Sequence, residues 1–101
     1  MIERVSLSDI EEILRKLRSK LKDVVREAYV FGSIVKEEAI IGESDLDLLI
    51  IPDKRIDYFS LLDEEIEELL DRGLVLHLHI ADNVTYRHLL EEIKISGVKL
   101  V

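Results

Sequence analysis

The sequence predicts an α/β (α+β) fold, a small mixed β-sheet covered by helices, as one domain over residues 1–101. Three observations predict it. Segments patterned for strands alternate with segments patterned for helices. Apolar residues make up 48% of the chain and charged residues 36%, a globular rather than a disordered balance. No repeat, linker or low-complexity tract interrupts the alternation. At 101 residues the chain is long enough to bury a core without staples.

The elements follow in order. Ser8 and Glu11 have capping-box spacing, and Ile10, Ile13, Leu14, Leu17 and Leu21 recur at helical intervals, which predicts a helix over 9–22. The run "VVREAYVF" (24–31) is β-branched and aromatic and predicts a strand. A short helix is expected from Ser33 to about Ala39, broken by Gly42. Residues 45–51 predict a second strand, stopped by Pro52. The spacing predicts one helix over 56–72, with Phe59, Leu62, Ile66, Leu69 and Leu70 inward, an acidic face outward and Gly73 at its C-cap. "LVLHLHI" (74–80) predicts a third strand. Asp82 or Asn83 is expected to cap a last helix through Tyr86, Leu89, Leu90 and Ile93, ended by Gly97 and followed by a short strand in "VKLV".

Composition narrows the function. The net charge is −8, from 14 basic and 22 acidic residues, which disfavours direct nucleic-acid binding. A basic partner, or a small ligand carried with a cation, suits it better. With no cysteine, disulfides and thiolate metal sites are excluded. No apolar run reaches membrane length, and "MIERVSLSD" is charged where a signal peptide would be apolar, so the expected location is the cytoplasm. Glutamine is absent and asparagine occurs once, at Asn83, a composition of thermophilic type.

The stretch "FGSIVKEEAIIGESDLDLLI" (31–50) fits neither plain core nor plain loop. In a strand, side chains two apart share a face, so Asp45 and Asp47 project together while Leu46 and Leu48 pack behind them. Paired carboxylates need a positive charge between them, and Mg²⁺ with substrate phosphate is one such arrangement. Gly32 at a strand-to-helix turn lets a phosphate approach the backbone, where free N–H groups and the Ser33 hydroxyl can bind it. Taken singly, an ordinary turn and a solvent-facing strand edge explain each half. Together they describe a site for a metal-chelated nucleoside triphosphate.

"FGS" followed by "SDLDLLI" resembles the signature of the minimal nucleotidyltransferases, small members of the DNA polymerase β-like superfamily. The resemblance is strongest over 24–51, and the element order agrees along the chain. It implies that Gly32 and Ser33 bind the triphosphate of ATP and that Asp45 and Asp47 ligate Mg²⁺. Two positions depart from the family. Four residues after the serine, where a glycine preceded by arginine is usual, stand Glu37 and Lys36. The third carboxylate is expected on the next strand, where this chain has Leu76-His77-Leu78-His79. His77 takes that place, with His79 on the same face. An imidazole can accept a proton near neutral pH but is a poorer Mg²⁺ ligand than a carboxylate.

The resemblance implies transfer of AMP from ATP to a hydroxyl, with His77 joining Asp45 and Asp47 as a catalytic residue. The acceptor would come from a partner or a second subunit. Short members of the family commonly pair with a HEPN-domain protein and act as its antitoxin. The alternatives are a non-catalytic module of the same fold that neutralises its partner by contact, and a sensor that binds ATP without transfer. His88 is expected to be exposed. The acidic run 63–71 is expected to be a solvated helix face or, alternatively, a surface for a basic partner.

Overall fold

The computed structural model describes residues 3–81 and 87–101. The elements are α1 (Glu11–Leu21), β1 (Val25–Phe31), β2 (Asp45–Pro52), α2 (Tyr58–Leu61), α3 (Asp63–Asp71), β3 (Val75–Ile80), α4 (Arg87–Ser96) and β4 (Val98–Lys99). The strands form one mixed sheet in the order β3-β2-β1-β4. β2 is central, antiparallel to β1 and parallel to β3. The expected caps at Asp82 or Asn83, and Tyr86, lie outside the described residues.

Alternation along the strands assigns each face of the sheet its role. On one face Ala28 and Val30 of β1, Leu46, Leu48 and Ile50 of β2, and Leu76 of β3 are buried with α1 and α3. On the other face Tyr29 and Leu49 are buried against Ala81 and against Ile93 of α4. The Asp45 end of this second face carries polar side chains instead. The second face is therefore apolar at one end of β2 and acidic at the other.

Three expected elements differ in form. The chain enters α1 through a 3₁₀ turn (Leu7–Ile10), and the capping box falls at Ser6 and Asp9, not at Ser8 and Glu11. Asp9 Oδ2 accepts from the Ser6 N–H at 2.8 Å. The helix expected over 33–39 is a single turn. It ends because Glu37 has a left-handed backbone (φ 60°). Next, the N–H of Val5 donates to the Ala39 carbonyl and that of Ile41 to the Glu3 carbonyl, which commits residues 39–41 to the N-terminal segment.

The helix expected over 56–72 divides at Leu62, whose backbone (φ −102°, ψ 13°) leaves the helical range. Its buried face is Tyr58, Leu62, Glu65 and Leu69, whereas Phe59 and Leu70 are exposed. The Tyr58 hydroxyl donates to the carbonyls of Val24 and Lys54, at 3.1 and 2.8 Å, and this sets the rotation of the first segment.

The acidic run of α3 faces the bases of α1 rather than solvent alone. Lys16 Nζ lies 2.9 Å from Glu68, and Lys20 Nζ lies 2.7 Å from Glu65 Oε1 and 3.7 Å from Glu64. Glu65 is fully buried. Its contact with Lys20 is a close ion pair rather than a well-angled hydrogen bond, and among the described residues neither carboxylate oxygen has a hydrogen-bond partner. The contact with Glu65 raises the pKa of Lys20 above its ordinary value. The raised lysine pKa thus contributes stability that is fully present just below the ordinary lysine range and is lost as pH rises through the raised value.

Removing one partner leaves a buried charge uncompensated. Lys20→Met should lower unfolding free energy by about 2 kcal/mol, below the full cost of breaking a buried pair because Lys20 is partly exposed. Lys20→Met combined with Glu65→Leu should recover most of that loss. Urea denaturation of the two variants checks both values.

Candidate functional site

The site lies at the acidic end of β2, where β1 and β3 flank it. Asp45 and Asp47 are in register with Val75 and His77 of β3, and Asp47 also pairs with Phe31, the last residue of β1. Ser44 sets the approach: its Oγ accepts from the Ile40 N–H at 2.8 Å, and its own N–H donates to the Ile40 carbonyl. Both bonds close the loop that delivers Asp45 to the strand.

Gly32 follows Phe31 with φ +85°. A β-carbon there would collide with Asp47 Oδ2, closer than real β-carbons approach any atom. The glycine thus turns the chain away from β1 and admits the carboxylate against the backbone. Ser33, half-buried, begins the next turn. Among the described residues, no backbone carbonyl takes the N–H of Ser33 or of Ile34.

That turn explains the glycine expected at position 37. The N–H of Glu38 donates to the Ser33 carbonyl at 2.9 Å and that of Glu37 to the Ile34 carbonyl at 3.4 Å. This is the Schellman pattern, and its left-handed residue is Glu37. A glycine at this position meets a conformational need, which Glu37 meets with strain while its side chain stays exposed.

His77 and His79 project onto the same face. His77 Nδ1 lies 3.3 Å from Asp47 Oδ1 and 3.9 Å from Asp45 Oδ2. His79 Nε2 lies 3.2 Å from the same Asp47 oxygen. The two imidazoles are 4.2 Å apart between centroids, and the Phe31 ring packs against His79 at 5.0 Å. Asp45 and His77 are about half exposed, while Asp47 and His79 are largely covered. The period-two relation of His79 to His77 places it on this face in the sequence, and the structure adds its contact with Asp47. His88 is exposed on α4.

Asp45 and Asp47 supply oxygen donors of the kind Mg²⁺ takes beside phosphate oxygens. The imidazoles are nitrogen donors, which Mg²⁺ does not favour. A cleft of about 690 Å³ lies near the other end of β2 beside Arg26, Lys54, Arg55 and Tyr58, away from these groups. Chemistry rather than size locates the site.

The order of elements, the glycine turn and the paired aspartates agree with one family, and residues 10–100 match the nucleotidyltransferase domain. The chain belongs to the nucleotidyltransferase domain family. Among solved structures, this chain is similar to a chain of the toxin–antitoxin MntA-HepT. The identity is 18% and the TM-score 0.57, covering 90% of this chain and 71% of the other. No curated protein sequence matches it. Among the described residues, no helix is long and apolar enough to cross a membrane.

Two residues with positive φ should respond oppositely to substitution. Gly32→Ala adds strain and a collision with Asp47, and should cost about 2 kcal/mol or more. Glu37→Gly relieves a left-handed glutamate and should stabilise by about 1 kcal/mol. Urea unfolding of both variants tests the pair.

Proposed function

We propose that the protein transfers AMP from Mg²⁺-chelated ATP to a hydroxyl of a HEPN-domain partner, in the cytoplasm, as the antitoxin of the pair. The observation that carries this reading is the Asp47 carboxylate seated against Gly32, with Asp45 on the same face. Family membership supports the chemistry. Likeness to a chain of MntA-HepT supports the partner.

In this reading the Gly32–Ser33 turn binds the triphosphate, and Asp45 and Asp47 hold the cation that arrives with it. That cation neutralises phosphate charge and aligns the α-phosphate for in-line attack when bound. The acceptor oxygen forms a bond to the α-phosphorus as the α–β anhydride bond breaks, and pyrophosphate leaves. His77, in the third-carboxylate place, takes one of that residue's two roles: receiving the acceptor's proton or holding a metal.

A second reading rests on the same histidine. With an imidazole where the family's third acid belongs, the fold can neutralise its partner by contact without transfer.

Labelled ATP, Mg²⁺ and a HEPN partner should yield a labelled partner, and absence of label with both proteins folded and associated would favour the contact reading. Replacing both aspartates (Asp45→Asn with Asp47→Asn) should abolish Mg²⁺-dependent ATP binding in calorimetry while circular dichroism stays native. Unchanged affinity would remove the carboxylates from the site.

His77→Asp separates the two readings. A native transferase should keep or raise its activity, whereas a contact module should acquire activity it lacked, with partner affinity unaltered. Loss of a robust native activity would contradict both.

A further inference from the structure

We infer that Asp47, His77 and His79 form a binding site for a borderline transition-metal cation of the Zn²⁺ or Co²⁺ class, distinct in preference from the Mg²⁺ that accompanies ATP. The inference concerns metal binding itself and does not depend on transfer.

Three observations support it. First, the donors converge: His77 Nδ1 and His79 Nε2 approach the same oxygen, Asp47 Oδ1, at 3.3 and 3.2 Å. Metal–ligand bonds of about 2.0–2.1 Å in a tetrahedron put neighbouring donors about 3.3–3.4 Å apart. Both histidine–aspartate separations already approach that edge length, and all three donor atoms lie within 4.8 Å of one another. Second, the set is two imidazoles and one carboxylate, which suits zinc and its neighbours far better than magnesium. Third, the donors are held before any ion arrives. Asp47 sits against Gly32, Phe31 packs on His79, and β2–β3 pairing sets His77 directly beside Asp47.

Three protein donors leave a coordination position open, as in exchangeable or catalytic sites rather than closed structural ones. Asp45 Oδ2, 3.9 Å from His77 Nδ1, is an additional donor beside this position. An ion bound here takes the Nδ1 lone pair of His77. A loaded site and a proton-accepting His77 therefore exclude each other.

The test is calorimetric titration of the full-length protein, stripped with a chelator, with ZnCl₂, CoCl₂ and MgCl₂ and without nucleotide. One Zn²⁺ per chain should bind with micromolar or tighter affinity, and millimolar Mg²⁺ should not displace it. Co²⁺ should give the visible absorption of a four- or five-coordinate centre. His77→Ala and His79→Ala should each weaken Zn²⁺ binding by at least about tenfold, while His88→Ala leaves it unchanged. Should an alanine variant misfold, His79→Asn and the thermal shift of the native protein with Zn²⁺ give the same reading. Absence of Zn²⁺ binding, easy displacement by Mg²⁺, one ion per two chains, or binding that follows His88 would overturn the proposal. AMP transfer could fail while Zn²⁺ binds, or succeed while Zn²⁺ does not, so the two conclusions fall separately.

Discussion

The acidic end of the sheet depends on the missing β-carbon of Gly32. Asp47 is largely covered, so its carboxylate needs room and polar neighbours that a packed sheet seldom offers. The glycine provides the room, and the imidazoles of β3 provide the neighbours. It also ends β1 opposite Asp47, so Asp45 projects beyond the last β1 pair, beside Val75 of β3. One covered carboxylate and one open carboxylate, two residues apart, result from where a single strand stops.

The acidity of the chain is less available to partners than its net charge suggests. Glu64, Glu65 and Glu68 lie beside Lys16 and Lys20 of α1, so much of the acidic run is engaged within the protein. Exposed pairs of this kind contribute little individually. Glu65 differs because its charge is buried, and its presence commits α1 and α3 to one relative placement.

What was legible in the sequence was what local periodicity controls. The shared face of Asp45 and Asp47 follows from alternation, as does the pairing of His77 with His79. The strands, their order of appearance and the short terminal strand follow from composition and turn residues. Illegible features came from contacts between distant segments. Residues 39–41 leave the helical path to pair with Glu3–Val5, and Tyr58 rotates its segment through two carbonyls elsewhere in the chain. Glu65 reads as one more solvent-facing acid until α1 lies across it. The capping-box shift from Ser8 to Ser6 is a smaller instance, a choice between serines that spacing alone leaves open.

The parallel pairing of β2 with β3 has one more consequence. Sliding β3 by a single residue would carry His77 and His79 into the face lined by Leu46, Leu48 and Ile50, and would turn Leu76 and Leu78 towards the aspartates. Two imidazoles without partners in an aliphatic interior make that alignment prohibitive. The leucines of β3 therefore act as a proofreading device for the polar cluster: burial on one side of the strand determines which chemistry is presented on the other. A substitution in that hydrophobic layer could thus scramble the cluster without touching any of its members.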